Sequence, residues 1–221
     1  MKQQYTILFD LDGTLVDTAP DLMRAHNHVM KKFGYPTKST EEIRNLVGQG
    51  AVAMLGRSIW GQAKKEFGKV QDEKIKKEMV KDFVDFYGKN IVNESTLIKG
   101  VKKFLIWCKE NKISMAVCTN KQEHLAIDLL KKIGIYDFFE YVAGHNTFEY
   151  CKPDPRHLTS VVEILGGNIK KTLMIGDSET DANAAKNAGI PVILLEDGYT
   201  EKNTSEIYHN CLLYTSPSPR D

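Results

Sequence analysis

Five short apolar runs constrain this chain more than anything else in it. Tyr5–Phe9, Ser114–Cys118, Tyr141–Ala143, Thr172–Ile175 and Val192–Leu195 are apolar without polar alternation and end in turn residues. Such runs suit strands buried on both faces, because a strand with one wet face alternates apolar and polar positions. Helical spacing fills the stretches between and before the later runs, in Val101–Glu110, His124–Ile133, Arg156–Leu165 and Thr180–Ala188. Strands alternating with helices in this way predict an α/β fold: a doubly wound parallel sheet with a Rossmann-like core.

One connection is too long for that plan. From Phe9 to Ser114 the chain runs for about a hundred residues, where a crossover between parallel strands needs a dozen or so plus its helix. Within it, Leu22, Ala25, His26, Val29, Met30 and Phe33 share one helical face, and Met79, Val80, Phe83, Val84 and Tyr87 share another. These faces predict an inserted helical cap over residues 18–92, with linkers at Asp17–Asp21 and Asn93–Gly100, on a core formed by residues 1–17 and 93–210. Residues 211–221 change abruptly to a Ser/Pro segment with no strand or helix period and read as a non-native-looking tail outside the fold.

The composition removes several classes of function. Thirty Lys and Arg against 29 Asp and Glu leave a net charge of +1, so no global field favours nucleic acid or an anionic membrane. Apolar stretches such as Ile190–Leu195 fall far short of the roughly 18 residues a membrane span requires. Met1–Tyr5 leads into a run broken by Asp10, unlike a secretory signal. Cys108, Cys118, Cys151 and Cys211 show no C-x-x-C spacing, which suits inert thiols in a reducing cytoplasm.

Chemistry gathers at the ends of the strands. Asp10-Leu11-Asp12-Gly13-Thr14 closes the first, where two carboxylates converge as the chain turns at Gly13. Thr119-Asn120 closes the second and is expected to open a helix, whose first N–H groups face the same crevice. Lys152-Pro153-Asp154-Pro155 follows the third, and Gly176-Asp177-Ser178 with Asp181 follows the fourth. Alone, each is a turn, a cap or a surface lysine. In a doubly wound sheet all strand carboxyl ends share one edge, so the four segments meet in one crevice. They bring carboxylates for a hard cation, one fixed ammonium, and hydroxyl and N–H donors for phosphate oxygens, which is equipment for phosphoryl transfer.

In order and spacing, these four segments resemble the motifs of the haloacid dehalogenase superfamily of phosphatases, and the insertion resembles that superfamily's helical cap. FDLDGTLVDTAPDL, Gly34-Tyr35-Pro36, Val47-Gly48-Gln49-Gly50-Ala51 and Thr119-Asn120-Lys121 resemble its bacterial phosphoglycolate phosphatase branch. The resemblance implies that Asp10 is the nucleophile and Asp12 the general acid and base. It implies Mg²⁺ on the Asp10 carboxylate, the Asp12 carbonyl and Asp177, with Asp181 orienting those ligands. Thr119, the Asn120 N–H and Lys152 would hold phosphate. The substrate loop would include Gly48, Gln49 and Gly50, with Arg57, Arg24 or Gln49 meeting the organic group. The expected partner is a small-molecule phosphate ester, such as 2-phosphoglycolate, met by a cytoplasmic monomer or homodimer that binds neither nucleic acid nor membrane.

Competing readings remain at this level. A sugar phosphomutase or sugar-phosphate phosphatase of the same superfamily shares the motifs. A signalling receiver also accepts phosphate on an Asp, but after its third strand, where this chain has Lys152. Gly48–Ala53 matches the dinucleotide pattern G-x-G-x-x-A, yet it follows Glu41–Val47, which reads as a helix rather than the strand that pattern requires. His26 reads as a packed core histidine, and the lysines from Lys64 to Lys81 as a solvated helix face.

Overall fold

A computed structural model describes residues 5–60, 73–196, 198–199, 207 and 212–214. The chain begins with β1 (Thr6–Phe9) and the short β2 (Val16–Asp17), then enters the cap helices α1 (Ala19–Phe33), α2 (Thr40–Arg44), α3 (Gly50–Trp60) and α4 (Glu73–Lys89). It returns through β3 (Thr96–Leu97) and α5 (Val101–Glu110) to β4 (Ser114–Cys118), α6 (Glu123–Lys132) and β5 (Tyr141–Ala143). The remaining elements are α7 (Arg156–Ile164), β6 (Thr172–Gly176), α8 (Glu179–Ala188), β7 (Val192–Leu195) and β8 (Leu212–Tyr214).

The main sheet has the order β5-β4-β1-β6-β7-β8 with every pairing parallel. The non-alternating strands are buried on both faces as expected. Ile7 and Phe9 enter one apolar cluster, whereas Leu8 between them enters the other with Leu158, Val161 and Met174. Each such side chain contributes roughly 1.5–3 kcal/mol by leaving water. The first cluster runs on into the cap through Leu22, Val29, Met30, Met79, Phe83 and Tyr87, so cap and core are packed as one apolar body.

Three expectations need correction. Leu212–Tyr214, inside the segment read as a tail without strand period, forms β8 beside β7; three apolar residues suffice because an edge strand needs only backbone partners on one side. The helix after β4 starts at Glu123, so Thr119 and Asn120 lie in the turn before it rather than at its first N–H groups. The helix read at Glu41–Val47 is only Thr40–Arg44, begun by a Ser39–Glu42 capping box.

The two linkers pair with each other. β2 and β3 form an antiparallel ribbon, Val16 against Leu97 and Asp17 against Thr96, so the chain leaves and re-enters the core through one neck. His26 is fully buried, with ring nitrogens on Asn27 Oδ1 at 3.0 Å and Ser58 Oγ at 2.6 Å, a packed histidine. Of the Lys64–Lys81 stretch, residues 64–72 lie outside the described residues, while Lys81 is exposed and pairs with Asp85 at 2.6 Å. Cys108, Cys118 and Cys151 are free thiols, and Cys211 lies outside the described residues. No helix among the described residues is long and apolar enough to cross a membrane.

Candidate active site

β1 lies between β4 and β6, so the turns after these three neighbours face one another at the carboxyl edge of the sheet. The turn after β1 is tight: Thr14, Leu15 and Val16 N–H groups all donate to the Leu11 carbonyl, and Gly13 N–H donates to Val16 O. This turn separates the two carboxylates of the first motif. Asp10 is buried, and its Oδ1 lies 2.8 Å from Lys152 Nζ. Asp12 faces outward from that cluster, its Oδ1 accepting from Thr18 Oγ1 at 2.6 Å and lying 2.9 Å from Lys121 Nζ.

Asp10 shares its pocket with Asp177 and Asp181, and one carboxylate oxygen of each lies within 4.8 Å of the others. Lys152 Nζ reaches Asp181 Oδ1 at 2.5 Å as well as Asp10. Burial pushes the Asp10 carboxyl up to about 6 although Lys152 pulls the other way. Burial, reinforced by Asp10 and Asp181, pushes Asp177 well above the carboxylate range. Burial opposes the charge on Lys152, yet Asp10 and Asp181 hold its ammonium above the ordinary lysine value. If all three buried carboxylates are ionised around the one ammonium, they carry an excess of two negative charges, which is why burial without a cation raises Asp10 and Asp177. The donor set is all oxygen and the surplus equals the charge of a hard divalent cation, so Asp10 and Asp177 fit such an ion.

Asp181 is tied into its loop. Its Oδ2 accepts from Asp177 N at 3.3 Å, Ser178 N at 3.1 Å and Ser178 Oγ at 2.7 Å, which fixes the turn that carries Asp177. Asp177 in turn accepts from Thr14 Oγ1 at 3.0 Å and Tyr199 N at 2.5 Å. Thr14 is within the first motif, but Tyr199 was not legible as a site residue because its contact with Asp177 spans 22 residues that include α8 and β7.

Between cap and core lies a cavity of about 140 Å³. From the core it is lined by Asp10, Asp12, Thr119, Asn120 and Lys121, and from the cap by Gly48, Gln49, Gly50, Phe83 and Tyr87 among others. Asn120 Nδ2 donates to Gly48 O at 3.1 Å and to Lys152 O at 3.0 Å, joining the second motif to both the cap loop and the third motif. Of the cap residues expected to meet substrate, Gly48, Gln49 and Gly50 are at the cavity and Arg57 is not. Arg57 donates to the carbonyls of Leu46 and Val47 and so braces the loop from behind. Arg24 is likewise engaged, with Asp21 at 3.2 Å and Glu94 at 3.7 Å. Lys121 takes the position at the cavity instead. The sequence displays it only as the third letter of Thr119-Asn120-Lys121, because its partner Tyr87 is 34 residues away.

An α/β sheet that gathers carboxylates, a buried ammonium and a capped cavity at one edge defines a hydrolase class, and the comparisons agree. The profile of the haloacid dehalogenase-like hydrolases matches residues 7–195. The chain is 40% identical over 197 residues to a phosphoglycolate phosphatase of Caulobacter vibrioides, covering 89% of this chain and 81% of that one. It is 37% identical over 200 residues to a phosphoglycolate phosphatase of Mesorhizobium japonicum, covering 90% and 86%. A crystal structure described as a predicted phosphoglycolate phosphatase from Haemophilus somnus superposes with a TM-score of 0.85 at 31% identity, covering 96% of this chain and 95% of that one. The chain belongs to the haloacid dehalogenase-like hydrolases. Within that family it is a phosphoric monoester hydrolase.

Proposed function

We propose that this enzyme is a Mg²⁺-dependent phosphatase that converts 2-phosphoglycolate to glycolate and phosphate through an aspartyl-phosphate on Asp10, acting in the cytoplasm. The observation that carries this reading is the division between two carboxylates of one turn. Asp10 sits in the buried cluster 2.8 Å from Lys152, whereas Asp12 sits at the cavity with Thr18 and Lys121. Different surroundings suit different tasks, one carboxylate to attack and the other to carry a proton.

An Asp10 oxygen attacks phosphorus, and the bond from phosphorus to the leaving oxygen breaks as Asp12 gives that oxygen its proton. Asp12, now ionised, takes a proton from water. The water oxygen attacks phosphorus, the bond to Asp10 breaks, and phosphate leaves with both carboxyls restored. Mg²⁺ held by Asp10, Asp177 and the Asp12 carbonyl would supply positive charge that offsets the repulsion between carboxylate and phosphate. Lys152 would keep Asp10 aligned and add its own charge, while Thr119 and the Asn120 N–H would receive phosphate oxygens. Asp181 holds the loop of Asp177.

The choice of 2-phosphoglycolate rests on the relatives that carry that name and on a cavity of about 140 Å³, which suits a small leaving group. A phosphate-release screen over small phosphorylated metabolites tests it. The expected result is a kcat/KM for 2-phosphoglycolate above that for hexose phosphates. Preference for a hexose phosphate, or turnover that needs a bisphosphate primer, would replace this reading with a sugar-phosphate enzyme.

A further inference from the structure

We infer that Lys121 is the residue that selects the substrate, by reading a carboxylate carried on the leaving group one carbon from the ester oxygen. The inference rests on the phosphatase reading above and names the group that discriminates within it. Lys121 projects from the turn after β4, is nearly fully buried, and lines the cavity. Its Nζ lies 2.9 Å from Asp12 Oδ1, donates to Tyr87 Oη at 3.2 Å, and sits 4.5 Å from the centre of the Tyr87 ring. An ammonium has three N–H donors. Asp12 and Tyr87 engage two of them, and the third remains for a ligand in the cavity.

Charge and position both point to a carboxylate. Among the described residues that line the cavity, Lys121 is the one lysine or arginine; Arg24 and Arg57 are held by other partners. A carboxylate in the cavity would complete the hydrogen bonding of that ammonium, and a charged acceptor makes a stronger bond there than a neutral one. Distance fits as well. Asp12 addresses the leaving oxygen, Lys121 is one hydrogen bond beyond Asp12, and in an O–CH₂–COO⁻ ester the carboxylate carbon is two bonds from that oxygen. Selection thus begins in the core, with the cap contributing Tyr87 behind the ammonium.

The test compares kcat/KM for 2-phosphoglycolate with that for 2-hydroxyethyl phosphate, which replaces the carboxylate by a neutral hydroxymethyl group. Full-length wild type, Lys121→Met, Lys121→Gln and Lys121→Arg are measured. The wild type is expected to prefer the carboxylate ester. Lys121→Met should reduce that ratio about tenfold or more, mainly through KM for 2-phosphoglycolate, as loss of a charge-assisted hydrogen bond implies. Lys121→Arg should retain most of the preference. Lys121→Gln, which keeps polar contact with Asp12 and Tyr87, gives the same reading if the Met variant does not fold. If the neutral variants slow both esters equally and leave the ratio unchanged, Lys121 only steadies Asp12 and the assignment is wrong. A wild type that hydrolyses both esters with equal kcat/KM would instead refute 2-phosphoglycolate as the substrate, and the assignment with it.

Discussion

Gly13 sits at φ +81° directly after Asp12 in the turn that follows β1, and a Cβ there would lie 2.2 Å from Asp177 Oδ2. Glycine is needed twice over, for the backbone conformation and for the approach of Asp177. Gly13→Ala should displace Asp177 and raise the Mg²⁺ concentration for half-maximal activity by about 10–100-fold, which a metal titration of phosphate release will measure. Asp10→Asn should leave the fold in place and abolish turnover, because an amide cannot form the acyl phosphate; more than trace activity would remove Asp10 from the mechanism. Asp10, Asp12, Asp177 and Asp181 were picked out in the sequence because each follows an apolar strand within a few residues, and Lys152, nine residues beyond its strand, because it opens a Lys-Pro-Asp-Pro turn. The sheet's shared edge supplies the rest of the argument. Lys121, Tyr87 and Tyr199 were not legible as site residues, since each acquires its role from a partner distant in sequence. Arg57 misled for the converse reason: a cation on a cap helix near the substrate loop is also well placed to bond that loop's own carbonyls.

Among the elements, one side chain gathers several bonds at the neck between cap and core, beside the β2–β3 ribbon. Asp21, in the first turn of α1, accepts on Oδ2 from the N–H groups of Asn93 at 3.0 Å, Glu94 at 3.0 Å and Ser95 at 2.9 Å, and from Ser95 Oγ at 2.7 Å. Burial opposes its charge, but these bonds to Glu94, Ser95 and Asn93 outweigh burial and hold the carboxyl below its usual value. A lowered carboxyl contributes stability above its unfolded value, about 3.9, and loses that contribution as pH falls through the folded value. Asp21→Asn should therefore destabilise the protein at neutral pH by about 1.5–3 kcal/mol, the scale of a charge-assisted hydrogen bond. The difference in Tm between variant and wild type should shrink as pH falls below about 4; a difference that persists unchanged at low pH would show that the charge is not what matters. Five of the six strands of the main sheet were legible almost to the residue because burial leaves an unbroken apolar run; β8 was not, since three residues at an edge carry too short a pattern. The β2–β3 ribbon was not, since two residues per strand carry no period. The helical run read from His124 is α6 to within a residue, but Thr119-Asn120 does not open it: Asn120 looks like a cap, yet its side chain bridges to Gly48 and Lys152 and the helix begins after Gln122.

For the whole molecule, one apolar cluster continues from the sheet into α1 and α4, while the polar groups of four motifs converge beneath the cap. The fold thus places a cavity between cap and core beside a buried cluster of carboxylates. Chelation should silence the enzyme and Mg²⁺ should restore it, with Ca²⁺ a poor substitute because its larger, looser coordination would not hold Asp10 in attacking geometry. Full activity in chelator would contradict the assignment of the cluster to a metal. That helices are inserted between the first two long strands was legible from the length of chain there and from two helical faces, but which of their side chains reach the cavity was not. The central claim is that Asp10 becomes phosphorylated and Asp12 completes the cycle. It is tested most directly by incubating Asp12→Asn with Mg²⁺ and an aryl phosphate, whose good leaving group needs no proton, and locating the phosphoryl group by peptide mass spectrometry after acid quench. The account predicts phosphate on the peptide containing Asp10, at Asp10 itself. A variant that turns over at the wild-type rate, or a phosphoryl group found on another residue, would contradict it.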